Sequence, residues 1–315
     1  MNISVIIPAF KAENFLEKAV MSALNFEVVK EVIIIEDGSP DKTLEVALSL
    51  QQRYPIVKVY QHPDKNNHGD SASRNLGIKK MRYDYLAFLD ADDYFLPNRF
   101  DAEKTIFQNP EIDAVFGATG TEFLSEKGKE IYMQKFLDEG LCTVRFAAEG
   151  RDIFHLLVEE HNRFGASFSM IAMTIKRSAL ENPTLRMTET LKIGMDKEFI
   201  IKMAYHKYMK TGIIDRPISI RTAHDENTIT KIKSYSKSFF EHDAKLYKSL
   251  YDWAKAQKDF PKLEKKVFKS KYQAAEIAAE NGARKYLKYV FHAITNPCIL
   301  KTRYRYFALK NNPRE

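Results

Sequence analysis

Four short apolar runs near the N-terminus, Ile3–Ile7, Val32–Ile35, Val57–Tyr60 and Tyr85–Leu89, constrain this chain more than any other feature. Each is too short for a core helix, and the first three are dominated by β-branched or aromatic residues while the fourth is apolar throughout, so each predicts a strand. The stretches between them carry helical spacing: Glu13–Leu24 (with Phe15, Leu16, Ala19, Val20 and Leu24), Asp41–Arg53 and Ser71–Met81. Strand–helix alternation with crossovers of this length predicts a parallel, doubly wound α/β sheet. Ligands bind such a sheet beyond the carboxyl ends of its strands. At that end of the fourth run stands Asp90-Ala91-Asp92-Asp93. Carboxylates this close repel one another unless a cation lies among them, and hard divalent ions take oxygen ligands of this kind. The same aspartates would also shape an Asx-turn and cap a helix starting near Pro97. Residue type alone leaves both readings open.

After Asp113 the pattern changes. Short strands broken by glycine are expected to Phe136, then a helix at Arg151–Glu160 and a strand at Ser169–Ile175. A helix at Met195–Tyr208 and a strand near Gly212–Ile220 follow. Beyond Lys231 the chain reads as helical, over Lys237–Lys258, Lys262–Ala279 and Ala283–Ile294. The charge changes at the same place. Residues 231–315 hold 20 Lys and Arg against 8 Asp and Glu, whereas residues 1–230 hold 29 against 34. Two regions are therefore expected: 1–230, with halves of about 1–112 and 113–230, and a basic helical region, 231–315. A basic tail on a mildly acidic body suits an anionic neighbour, such as a membrane leaflet or a polyanion, or simply a solvated lysine-rich helical face. In Ala283–Ile294, Tyr286, Leu287, Val290 and Phe291 share one side, a pattern that would lie on lipid headgroups. Nothing in the tail matches a nucleic-acid docking module, so no nucleic-acid partner is expected. No apolar run reaches the 18 or so residues of a spanning helix. Cys142 and Cys298, far apart and in no metal-ligand spacing, suit reduced thiols. A cytoplasmic protein is expected, peripheral on the inner face of the cell membrane if the basic region docks there.

With these pieces in order, the chain resembles the family 2 glycosyltransferases of GT-A fold. Ile3-Ser4-Val5-Ile6-Ile7-Pro8-Ala9-Phe10 resembles that family's first strand and P-x-[YF] turn, and Glu13-Asn14-Phe15-Leu16 its following helix start. Glu36-Asp37-Gly38-Ser39 resembles its D-G-S turn. Gly69-Asp70-Ser71-Ala72-Ser73-Arg74-Asn75-Leu76-Gly77 resembles its G-x-S-x-A-R-N-x-G segment, and Asp90-Ala91-Asp92 its DxD motif. Gly194-Met195-Asp196 resembles the acidic segment, and Arg221-Thr222-Ala223-His224 the arginine and histidine that often close the domain. The match covers about residues 1–230 in the expected order.

The resemblance implies a Rossmann-like, mostly parallel sheet flanked by helices, with a C-terminal helical extension. It implies inverting transfer of a monosaccharide from a nucleotide sugar, UDP-linked by expectation, to a hydroxyl of a glycan or lipid-linked saccharide, as in cell-surface polysaccharide synthesis. It assigns nucleotide-sugar binding to Pro8, Ala9, Phe10, Glu13, Asp37, Gly69, Ser71, Arg74, Asn75, Asp90 and Ala91. Physical reasons stand beside three of these. Phe10 offers a ring to a uracil, Asp37 an acceptor for its N3–H, and Arg74 paired donors to a diphosphate. Their plainer alternatives are a core phenylalanine, a turn cap and a surface ion pair. Asp92 is assigned to Mn²⁺ or Mg²⁺, with His224 either completing the metal shell or touching a phosphate; Asp93 would share the metal role or, the favoured reading, cap the next helix. Asp196 is expected as the base that deprotonates the acceptor, in a partly buried site that would raise its pKa. Glu198 reads as a surface charge.

The chain departs from the family pattern at Met195, where relatives usually carry Glu, and at Asp70, where they carry an apolar residue. Met195 gives some footing to a degenerate homologue that only binds a nucleotide sugar or a partner. A sugar-phosphate nucleotidyltransferase is disfavoured, because Pro8-Ala9-Phe10-Lys11-Ala12 lacks the expected glycine- and arginine-rich loop.

Overall fold

The computed structural model describes residues 1–136, 141–159, 162–165, 168–181, 185–224 and 233–310. Its first part alternates as the periodicity predicts: β1 (Ile3–Ala9), α1 (Leu16–Leu24), β2 (Val29–Glu36), α2 (Thr43–Arg53), β3 (Val57–Gln61), α3 (Asp70–Lys80) and β4 (Tyr85–Phe88). There follow β5 (Tyr94–Phe95), α4 (Asp101–Ile106), β6 (Ala114–Phe116), β7 (Ala118–Phe123), α5 (Glu126–Phe136), β8 (Leu141–Cys142), α6 (Arg151–Val158) and β9 (Met173–Lys176). Then come α7 (Met195–His206), β10 (Met209–Thr211), β11 (Pro217–Ala223), α8 (Lys237–Ala256), α9 (Lys262–Ala278), α10 (Gly282–Thr295) and α11 (Thr302–Ala308).

Seven strands form one sheet in the order β10-β6-β9-β4-β1-β2-β3, and β5, β11, β7 and β8 form a second. Neighbours in the larger sheet are parallel except where β9 runs against β4 and β6. Successive residues of a strand face opposite sides, and both sides here are covered. Val5, Ile7, Val32 and Ile34 pack with Leu16, Val20 and Leu50 of α1 and α2. Ile6, Ile33, Ile35 and Phe88 pack on the other side with Ile78 of α3 and Phe199 and Met203 of α7.

The strand order turns back at β1, since β2 and β3 lie to one side and β4 to the other. That places the switch point between β1 and β4, where α/β sheets open a crevice. Pro8 helps to open it. Ala9 C=O accepts from Asp37 N–H (2.9 Å) on the β2 side, and Ile6 C=O accepts from Leu89 N–H (3.0 Å) on the β4 side. Alternate residues therefore serve alternate neighbours, and Pro8 faces β4 without an N–H to give. The β1–β4 pairing ends at Ile6–Phe88, while β1 itself continues to Ala9, paired with Glu36.

Several expectations change. Residues 126–136 are a helix, not broken strand; Gly128 lies in its first turn. The strand expected near 212–220 is β11, which begins only at Pro217 and lies in the small sheet; β10, just before the expected range, is a further short strand in the large one. The basic region is packed onto the sheet's helices: Leu246, Leu250 and Phe268 join the same cluster as Phe199 and Met203. Its entry is fixed by Ser236, whose hydroxyl accepts from Phe239 N–H (3.2 Å) as an N-cap. The composition change near residue 231 falls within 225–232, outside the described residues. Among the described residues no helix is long and apolar enough to cross a membrane.

Candidate active site

The crevice collects the ends of β1, β2, β4 and β11 and the first turns of α3 and α7. On the β1–β2 side two loops are laced together. Glu13 accepts from Lys42 N–H (2.9 Å), Ala12 N–H donates to the Thr43 hydroxyl (2.7 Å), and that hydroxyl donates to Asp41 (2.6 Å). Phe10 projects from the turn, 42% exposed, rather than joining the core. Pro8, Ala9 and Ala91 are buried beneath it and beside the acidic turn. A cavity of about 510 Å³ opens here, lined by Lys11, Glu13, Phe15, Asp41 and His224 among others. In the sequence nothing marks Lys11 as part of a site, and Phe15 and Asp41 read only as helix-start residues.

Asp37 is buried, and its two carboxylate oxygens accept from His68 N–H and Gly69 N–H, both at 2.8 Å. It thereby sets the loop that enters α3. Gly38, at φ +68°, lies so close to the backbone of Lys65–Asn67 that a Cβ would meet it at 2.8 Å. Gly69 then starts α3 at φ +85°. Ser71 Oγ and Arg74 Nε are buried there without a hydrogen-bond partner among the described residues. Arg74 Nη2 donates to Asp90 Oδ1 at 2.5 Å. Burial alone would lower the Arg74 pKa, but the charges of Asp90, Asp70 and Asp196 overcome it and hold the guanidinium firmly protonated. Asp70 itself is pushed up by desolvation, aided by the charges of Asp90, Asp37 and Asp92 and opposed by Arg74.

Across the cleft His224 Nε2 lies 3.1 Å from Asp92 Oδ2, and its ring stacks on Phe15 at 4.8 Å. Asp93 does not cap a helix, because α4 begins only at Asp101. It is buried and accepts from Thr222 N–H (2.8 Å), while the Thr222 hydroxyl donates to Asp92 C=O (2.5 Å). These two bonds pin the end of β11, and hence His224, to the acidic turn. Desolvation, with Asp92 and Asp90 alongside, raises the Asp93 pKa well above the ordinary carboxylate range.

Asp196 stands in the first turn of α7, after Gly194 at φ +79°. It is exposed rather than partly buried, and near enough to Arg74 for the two charges to interact. Met195 packs against the core. Glu198, expected as a surface charge, is fully buried: it accepts from Lys202 Nζ (2.9 Å) and from the Ser249 hydroxyl of α8. Lys197 likewise donates to the Tyr247 hydroxyl (3.0 Å). Helix α7 is thus held from behind by α8.

A family model for glycosyl transferase family 2 matches residues 4–170. The chain belongs to glycosyl transferase family 2. That stretch contains the Pro8 turn, Asp37, the 69–77 segment and Asp90–Asp93; Asp196 and His224 lie beyond it. Among relatives, an uncharacterized glycosyltransferase of Haemophilus influenzae is 35% identical over 102 residues, which are 32% of this chain and 40% of that one. The minor teichoic acid biosynthesis protein GgaB of Bacillus subtilis is 27% identical over 253 residues, 76% of this chain and 25% of GgaB. This chain therefore spans well under two thirds of either relative. The crystal structure of S. aureus TarS 1-349 in complex with UDP-GlcNAc superposes with a TM-score of 0.62 at 16% identity, covering 97% of this chain and 77% of that one. The GT-A fold is shared at that level.

Within this family 2 fold Asn75 makes contacts that the sequence does not reveal. Its amide donates to Met187 C=O and Glu189 Oε1 (both 2.9 Å) and accepts from Met187 N–H (3.0 Å). Its donors and acceptor are engaged on the segment leading to Asp196. Asn75→Ala is expected to cost about 1–3 kcal/mol, read by urea denaturation, because the buried Met187 groups lose their partner. Full stability in that variant would refute the tether.

Among the described residues no group of three or more His, Cys, Asp or Glu side chains is placed to hold an ion. Asp92 and His224 offer two ligands of types that accept Mn²⁺ or Mg²⁺, and such ions are commonly held by one or two side chains, with substrate phosphates and water completing the shell. The donor set fits an ion brought in with a diphosphate.

Proposed function

We propose that this family 2 member moves a monosaccharide from a nucleoside diphosphate sugar, UDP-linked, to a hydroxyl of a glycan or lipid-linked saccharide, with inversion at the anomeric carbon. One observation carries the reading: Arg74 is paired to Asp90 in the acidic turn whose Asp92 lies beside His224, and the charge of Asp196 acts on the same guanidinium. A diphosphate there would meet the N-terminus of α3, a guanidinium and a two-ligand cation site together. Phe10 and the loop held by Asp37 lie where a base would rest. A bound Mn²⁺ or Mg²⁺, held by Asp92 and His224, would supply positive charge to the departing diphosphate. Asp90 keeps Arg74 aimed at the same oxygens. Asp196 accepts the proton of the acceptor hydroxyl as its oxygen bonds to the anomeric carbon; the bond to the phosphate oxygen breaks, and the nucleoside diphosphate leaves with that electron pair. The crystallised complex of TarS with UDP-GlcNAc and the teichoic acid relative support a UDP-linked donor and a cell-surface polymer as product. A lipid-linked acceptor would also favour a peripheral position on the inner face of the membrane.

Purified protein with Mn²⁺ or Mg²⁺ should release a nucleoside diphosphate from at least one of a panel of nucleotide sugars in the presence of acceptor. Release from none, by folded protein that still binds nucleotide, would contradict the proposal.

A further inference from the structure

Helix α10 is oriented the wrong way round for a helix facing water. Its inward side carries Lys285 and His292, both buried; Lys285 Nζ donates to Lys310 C=O (2.6 Å) and His292 lies 3.4 Å from Glu276. Its outward side carries Tyr286, Leu287, Val290, Phe291 and Ile294, which are 61, 71, 56, 61 and 76% exposed. These positions recur at helical spacing and form one continuous ridge. Leu300 and Tyr306 on the following segment are also exposed, at 52 and 70%. A ridge of this size normally means that something covers it.

The charges around it indicate what. Residues 282–310 contain seven Lys and Arg and no Asp or Glu. Of these, Lys285 is buried, and Arg284 and Lys288 lie 3.6 and 2.6 Å from Glu280; Lys301, Arg303 and Arg305 are exposed in the same stretch of chain as Leu300 and Tyr306. A second copy of this chain would bring the same cationic rim against this one, and the two rims would repel. An anionic lipid surface complements both features, taking the ridge into the headgroup boundary and the rim onto its phosphates.

We infer that α10, with the segment through α11, is an interfacial element that seats the protein on an anionic lipid bilayer. This extends the peripheral position proposed above, yet it uses none of the donor-site residues, and its test needs no turnover. The protein is floated with vesicles of phosphatidylcholine alone or mixed with phosphatidylglycerol, beside Leu287→Glu/Phe291→Glu and Arg303→Glu/Arg305→Glu. All four positions are exposed, so the variants should keep the wild-type melting curve and UDP affinity. Wild type should float with the anionic vesicles only, and each variant should lose binding by about tenfold or more. Equal recovery of wild type and variants, or no binding by wild type, would overturn the inference. So would a wild-type dimer that the first variant splits without any vesicle binding, which would assign the ridge to self-association.

Discussion

Asp196→Asn should lower sugar transfer by roughly two to four orders of magnitude, the usual worth of a positioned general base, with donor affinity unchanged. Asn keeps the shape of the side chain and differs in being unable to take a proton. Asp196 is exposed in the first turn of α7, so the fold does not depend on burying it. Losing a negative charge at a helix N-terminus would cost about 0.3–1 kcal/mol, too little to mimic such a fall in rate. The measurement is initial rate and UDP affinity on the same preparations. Near-normal turnover would remove Asp196 from the chemistry. Turnover absent from both wild type and variant, with intact UDP binding, would favour the binding-only homologue.

Arg99→Met should destabilise the protein by about 3–5 kcal/mol, the range for breaking a buried ion pair from one side. Arg99 is wholly buried, and no sequence feature marks it out. Its guanidinium donates to Ile171 C=O and Met173 C=O, each at 3.0 Å, and to Glu103 at 2.7 Å. It also lies over the rings of Phe100 and Phe95, at 4.6 and 4.9 Å. Burial raises the pKa of Glu103 and lowers that of Arg99, so each keeps its charge mainly through the other. Methionine fills part of the space but leaves the buried Glu103 without its cation, beside Thr174, and takes a donor from each of two carbonyls. Urea denaturation reads the loss, and Arg99→Met/Glu103→Gln should recover part of it. A single variant as stable as wild type would mean that the network contributes little.

What the sequence reveals, and what it hides, follows from how far apart the interacting residues lie. The strand–helix alternation to β4 is legible because side-chain period and turn residues are local properties. The acidic turn is legible too, since its carboxylates crowd within a few positions. Asp93 is misread because its partner, Thr222, is 129 residues away. His224 is a lone histidine until β11 pairs beside β5 and carries it to Asp92. Asn75 reads as a ligand-binding amide until Met187, 112 residues on, takes its hydrogen bonds. Glu198 looks like a surface charge in the first turn of a helix, and only the arrival of α8 buries it. The helix at 126–136 is hidden because Gly128 resembles a strand break.

On the proposed reading, the β1–β4 crevice holds a nucleoside diphosphate against a divalent ion at Asp92 and His224. Calorimetric titration of UDP into the protein, with Mn²⁺ and with EDTA, tests it most directly, repeated on Asp92→Asn and His224→Ala. Mn²⁺ should strengthen UDP binding to wild type by roughly an order of magnitude or more, and both variants should lose that gain. Equal affinity with and without the ion, or variants that keep the full gain, would contradict it.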